Sequence, residues 1–514
     1  MSTELSQSRA CSPMARCVFT AATLVAFGAA GTAHTMTLNP RGLGQALMYP
    51  YYTVNAGFST LLSIVNTTAH GKALKLRFHE GRNGRTVFSL NLYLSPSDVW
   101  VAQVYSSGDE NSVASIATND FSCVVPTLLL PVDPGSGLPR ANFSSATYSG
   151  ASADGGPASL SRTREGFFDV IEMGEVTDDV QHTLTAITHN GNGAPASCEQ
   201  VHAAWSAPGG YWGQNAQTDL APPGGGLYGS ESIINVGEGL MYTVDATAID
   251  GFSAAIQHTG PGDAAPDLNT ASADANGTYT AYVPVGERLV EARFARPEDA
   301  VSALLTVDHL DGEFVVDAAV GAATDWIVTL PTKRFYTDPA WLAATTNQIP
   351  VPFDVVFSGV HGGTACSAAA AQLFNREETT IGTGCELLCP PHPELGLCFN
   401  ANAIGLSTTG SPLGSNLSIA NDAFVSHIDA VAFDFRSGWL RVDLTTDSYG
   451  SVSSNHVLTA VNGPRFAGLP AIGFSVVNYV NANVTPGVLA NYSAASPLRA
   501  RVACRSGVEA GPCD

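Results

Sequence analysis

The sequence predicts an all-β (mainly) protein: two Ig-like or jelly-roll-like antiparallel β-sandwich domains, with long loops and one or two short helices. Three observations predict it. Strand-like alternation of period two recurs along the chain, and 51 glycines and 30 prolines supply the turns that many short strands need. With 45% hydrophobic and 13% charged residues, the chain is also too apolar to remain disordered.

The clearest stretch runs from Thr60 to Trp100. Leu74, Leu76 and Phe78 alternate with Lys75, Arg77 and His79, and after Asn83-Gly84 the period resumes through Phe88, Leu90, Leu92 and Leu94. Asn-Gly tolerates the positive φ of a tight hairpin, so two amphipathic strands flank a turn, with a third strand before them at Thr60–Val65. A meander with one apolar face needs a second layer to cover it. Ser89, Asn91 and Tyr93 join Lys75, Arg77 and His79 on the polar face.

Further strands are expected at Val99–Tyr105, Gly166–Val176, Gln181–Thr188, Gly239–Ile249 and Tyr279–Pro284, the last as an edge because proline ends it. Loops rich in Gly, Pro and Ser fill about 106–164, 194–226 and 259–276. Pro297-Glu298-Asp299 opens a helix through about Leu310, since proline suits the first helical position and acids suit the first turn. Asp325–Leu330 returns to strand. The Pro-bearing stretch from Thr337 to Pro352 is the expected boundary, giving a first domain over 34–345 and a second over 346–514. In the second, strands are expected at Phe353–Ser358, Ala430–Phe435, Gly438–Leu444, His456–Val461 and Ile472–Val480, while Ala365–Asn375 fits helix or strand.

Arg9 and Arg16 precede an apolar run from Cys17 to Ala30, with small residues at Gly31 and Ala33, so residues 1–33 read as an export signal. No later run reaches the roughly 18 apolar residues of a spanning helix, so no transmembrane segment is expected in the mature chain. The protein is therefore expected in the periplasm, at the outer surface or outside the cell. Beyond the signal lie eight disulfide candidates: Cys123, Cys198, Cys366, Cys385, Cys389, Cys398, Cys504 and Cys513. Local pairing suggests Cys123 with Cys198, Cys504 with Cys513, and two bridges within the cysteine-rich loop from Cys366 to Cys398.

The net charge of −22, from 45 acidic and 23 basic residues, disfavours nucleic acid as a partner, because phosphate binding needs clustered Lys and Arg. No cofactor and no metal is implied. Cys385, Cys389, His392 and Cys398 have zinc-like chemistry, but in an oxidising space thiols cross-link instead. Asp308, Asp311, Glu313 and Asp317 lack the glycine of a calcium loop and read as a solvated edge. Gly-x-Ser-x-Gly and His-Glu-x-x-His are absent, so no catalytic residue is assigned. Glu172 and Glu175 are three apart on a strand and should face opposite ways. Trp205, Tyr211 and Trp212, in a Gly-rich loop, are the ligand-binding candidates, and Tyr49–Tyr52 offer further rings.

The phrases YPYYTVN, TLLSIVNTT, LYLSPSDVW, TREGFFDVIEMGE, ESIINVGEGLMYTVDATAI, DWIVTLPTKRFYTD, SGWLRVDL and IGFSVVNYVNANVTPGVLANYS resemble an uncharacterised group of exported β-rich proteins from Gram-negative bacteria. The resemblance covers most of the mature chain. It implies a strand near Cys366–Arg376 and transfers no functional residue. The function expected is an exported, non-enzymatic structural or adhesive cell-surface protein, with cell-surface components, glycans or further copies of the chain as partners. The rival is a secreted hydrolase or glycan-binding protein using loop aromatic and acidic residues.

Overall fold

Strand Gly71–Glu80 lies within a sheet of ten strands, between Thr86–Leu94 and Glu165–Val176. The computed structural model describes residues 35–106, 112–128, 137, 139–206, 208–342, 350–378, 394–406, 411–417, 436–446, 451–481, 485, 487–488 and 490–505. The chain is mainly β, with antiparallel sheets and a few short helices. One pair departs from the antiparallel rule: Thr35–Leu38 runs parallel to Tyr279–Val285.

The period-two pattern dictates the first sandwich. Leu74, Leu76, Phe78, Leu90 and Leu92 from the ten-stranded sheet pack with Leu62, Ile64, Trp100, Ala102 and Val104 from a six-stranded sheet. Tyr49–Tyr52, expected to offer rings, lie instead within a strand, Ala46–Thr53, with every residue buried. It is interior to its sheet, so both edges are paired, and the burial of successive residues shows that both faces are covered. Its pairing with Glu165–Val176 slips between Gly166 and Phe168, opposite Tyr49 to Tyr52. Pro50 sits there, and a residue without an N–H fits where a ladder skips a bond. Gly229 on the opposing sheet is close to Tyr49, and a Cβ there would lie 1.9 Å from the phenolic oxygen.

A second sandwich faces a five-stranded sheet against a four-stranded one, with Leu310, Phe314, Leu373 and Leu440 meeting Trp326, Val328 and Ile404. Here the expected boundary fails. Strand His309–Val315 lies between Ser437–Asp443 and Arg499–Arg501, and Ala322–Thr329 lies between Ala401–Leu406 and Ile472–Tyr479. Segments from both sides of residue 345 interleave, and residues 34–514 form one unit.

Other expectations are corrected locally. Thr183–Ile187 is a helix, not a strand. The Asp219 carboxylate accepts from the backbone N–H of Val180, Gln181 and Thr183, which satisfies donors that a strand would pair in a ladder. The alternation of Gly239–Ile249 hides a corner: Leu240–Asp245 belongs to the six-stranded sheet and Thr247–Asp250 to the ten-stranded one. Tyr279–Val285 is interior, because Arg288–Phe294 forms the edge beyond it and Pro284 lies past the stretch paired with Thr35–Thr37. The helix runs over Pro297–Leu305 and stops short of Leu310, because strand begins at Thr306. Residues 353–358 form no strand; Phe353 and Phe357 are buried as single plugs. The expected loop at 106–164 contributes core, with Ile116, Phe143 and Tyr148 at most 3% exposed. The alanine run is strand, Ser367–Asn375.

Cys123 bonds to Cys198 and Cys366 to Cys398, and Cys504 is also disulfide-bonded. Cys385, Cys389, Cys513, the expected strand at 430–435 and the N-terminal signal lie outside the described residues. Among the described residues no helix is long and apolar enough to cross a membrane.

Candidate functional site

The polar face of the meander, expected in water, is buried. Lys75 and His79 are 0% exposed and Arg77 1%. The expected loop at 259–276 lies across them and offers backbone carbonyls as acceptors. Lys75 Nζ donates to Gly260 O (2.6 Å), Asn91 Nδ2 to Thr259 O (2.8 Å), Ser89 Oγ to Pro261 O (3.2 Å) and Arg77 Nη1 to Ala264 O (3.1 Å). Each side chain thereby recovers a hydrogen bond lost with water.

Beneath this cover is an ion cluster. Arg77 donates to Asp169 at 2.9 Å and to Asp267 at 2.7 Å, and Arg334 pairs with Asp267. His79 Nε2 meets Asp169 Oδ2 at 2.8 Å, and Arg334 Nη1 donates to His79 Nδ1 at 3.1 Å. Burial alone raises the Asp169 and Asp267 carboxyls, but the guanidiniums override it and hold both below the usual range. Burial, and then Arg334, bring His79 down to about 4. Two cations, two anions and a neutral imidazole sum to zero, which is what permits the cluster in the interior.

Thr86 Oγ1 lies 3.3 Å from His79 Nδ1, completing a hydroxyl–imidazole–carboxylate line with Asp169. The resemblance to a hydrolase triad is superficial. Arg334 occupies the nitrogen that would accept the hydroxyl proton, and an imidazole brought to about 4 is a poor base at neutral pH.

Glu172 and Glu175 do not diverge as expected. The register shifts between Glu172 and Gly174, and the bulge turns both carboxylates to Lys72 Nζ, each at 2.8 Å. A Cβ at Gly224 would lie 2.2 Å from Glu175 Oε1, so this pair is packed against backbone with no room for a sugar. The aromatic candidates also turn inward. Trp212 is 1% exposed and stacks on Tyr93 at 5.0 Å, while Trp205 Nε1 donates to the Tyr93 hydroxyl at 3.0 Å. Tyr211, half-buried, bonds Thr183 at 3.0 Å. Together they close the far end of the polar face. Tyr49, Tyr51 and Tyr52 are core. Asp308 pairs with Arg501 and Asp311 with Arg441.

The near end of the polar face is different. Glu80 accepts from the backbone N–H of Arg82, Asn83 and Arg85, tying the hairpin turn, and Arg162 bridges Glu80 and Asp154 at 2.8 and 2.7 Å. Between this turn, residues 157–162 and loop 411–417 opens a cavity of about 400 Å³. Asn55, Arg82, Ser159, Ser161, Glu165 and Asn416 contribute to its wall. Glu165 is buried and accepts from Tyr51 Oη (2.7 Å), Ser415 Oγ (2.8 Å) and Asn416 N (2.8 Å), and burial raises its pKa.

No protein-family model, curated protein or solved structure matches this chain.

The geometry itself is what bears on chemistry. Arg77, Arg334, Asp169 and Asp267 neutralise one another, and a polar cavity opens beside Arg82 and Glu165. Sequence reasoning missed Asp169, Asp267, Arg334 and Glu165 as partners. Asp169 carried a weak signal as a charge within an apolar strand phrase; Asp267 and Arg334 carried none, being far away along the chain.

Proposed function

We propose that the protein is an exported, non-enzymatic β-sandwich module of the exported β-rich group from Gram-negative bacteria, acting structurally or adhesively at or beyond the cell surface. One observation carries this reading. On the buried polar face of the meander the side chains suited to acid–base work are bound to one another: His79 is capped by Arg334, Glu172 by Lys72, and Asp267 by two arginines. Such a layer stiffens the scaffold and withdraws His79, Glu172 and Asp267 from acid–base work. Disulfides at Cys123–Cys198 and Cys366–Cys398 suit an oxidising compartment.

The test is external protease treatment of intact cells producing the tagged chain, paired with hydrolysis assays on model esters and glycosides. Degradation from outside, with turnover no faster than buffer, is expected. A chain confined to the cytoplasm would refute export, and turnover abolished by His79→Ala would refute the non-enzymatic reading.

A further inference from the structure

The cavity at the hairpin turn goes beyond a structural role. Arg162 commits its donors to Glu80, Asp154 and the Pro157 carbonyl. Arg82, half-buried beside it, does not. Its guanidinium lies 4.8 Å from the Phe399 ring centroid and has no carboxylate partner among the described residues. Burial makes that unpaired cation costly, lowering the Arg82 pKa. On the same wall, the Asn55 amide nitrogen is buried without an acceptor, its oxygen being taken by Arg164 Nε at 2.9 Å. Glu165 meets three hydrogen-bond donors and no direct cation. Ser159, Ser161 and Asn416 add hydroxyls and an amide at the rim.

We propose that this cavity binds a small hydroxylated monocarboxylate, an acidic sugar unit such as a uronic acid, with its carboxylate on Arg82. The hydroxyls then reach Glu165, which accepts, and the serines, which both donate and accept. A single unpaired guanidinium balances one negative charge, and the buried Glu165 opposes a dianion such as phosphate. About 400 Å³ falls within the range of roughly 300–1,000 Å³ typical of small-molecule sites. The glycan-binding role once assigned to Trp205, Tyr211 and Trp212 thus moves to polar residues on the opposite end of the same sheet face.

Calorimetry on the purified mature protein, with glucuronate, galacturonate, glucose and acetate as probes, tests this independently of where the protein resides. Saturable binding of at least one uronate is expected, with glucose and acetate at least tenfold weaker. Arg82→Gln should weaken the uronate by roughly tenfold or more, as loss of a charge-assisted hydrogen bond does, and Arg82→Lys should retain part of it. Ser159→Phe, at an exposed rim position, should block the cavity without touching the ion clusters. Circular dichroism confirms that each variant is folded. The proposal is overturned if neither uronate binds at concentrations up to about 10 mM, beyond the weak end of useful affinities. Glucose binding as tightly as the uronates, or folded Arg82→Gln and Ser159→Phe proteins that bind unchanged, would equally overturn it.

Discussion

Lys72, Lys75 and Lys333 are the only lysines of the chain, and all are at most 1% exposed. Lys72 has two carboxylates, but Lys75 and Lys333 reach carbonyl oxygens: Gly260 O, and Leu397 O with Phe399 O. A carbonyl is satisfied by a neutral amine, and burial lowers both lysines to about 7. The unfolded chain keeps these protons up to the ordinary lysine value of about 10.4, so between pH 7 and about 10 it binds more protons than the folded chain. Stability from these two groups therefore rises with pH over that window. Asp325, raised to about 7 by burial, opposes this rise only at the lower edge of the window, where one carboxyl works against two lysines. Buried Tyr49, Tyr51 and Tyr52, raised by burial, reverse the trend only above about pH 10. Urea midpoints are expected to be higher at pH 9 than at pH 7, and Lys333→Met should flatten the difference. A midpoint that falls between pH 7 and 9 contradicts this. The lysines themselves are legible in the sequence, but their burial is not. A lysine alternating with leucine ordinarily marks a solvent face, and nothing near Lys75 announces the carbonyl of Gly260.

At the scale of elements, the strands that were legible are ones in which one periodicity runs through a single sheet. Phe88–Leu94 and Leu74–Phe78 fall in strands Thr86–Leu94 and Gly71–Glu80 for that reason. Reading failed where alternation continued through a change of sheet, as at Ala246, or where a bulge changed a face, as between Glu172 and Gly174. Two-residue periodicity contains no term for either event. The segment over the polar face was legible only as loop, because its function is to supply backbone carbonyls, and every sequence has those. Asp267 is the side chain that ties this loop to both Arg77 and Arg334. Asp267→Asn leaves two buried guanidiniums with one remaining carboxylate, a loss expected to cost about 3–5 kcal/mol. Equilibrium denaturation measures it, and amide hydrogen exchange should rise across 258–270 before it rises in Gly71–Glu80. A change within about 0.5 kcal/mol, the range of ordinary surface substitutions, would show that the cluster is not integral.

For the whole molecule, the expected division near residue 345 followed the density of proline and the return of strand signal. That reading assumed each half buries its own apolar faces. Instead His309–Val315 and Ala322–Thr329 are interior strands of the sheets that Ser437–Asp443 and Ile472–Tyr479 need. A chain of residues 346–514 would lack both, exposing four unpaired strand edges and the apolar residues that meet Trp326 and Leu310. It is expected to be insoluble or unfolded by circular dichroism, whereas residues 34–514 unfold as one transition. A stable, cooperatively folded 346–514 fragment would restore two independent domains.

The sequence by itself determined the class of the protein and the position of clearly alternating strands such as Gly71–Glu80 and Thr86–Leu94, because local alternation, turn residues and low charge act within a few residues of one another. Only the tertiary structure decided that the polar face is interior and that the two sandwiches share their strands. It also decided that Arg82 and Glu165 meet at one cavity. Those outcomes depend on contacts between residues distant along the chain, such as Glu80 with Arg162, 82 positions apart, and Glu165 with Asn416, 251 apart, and no local pattern encodes a partner at that distance.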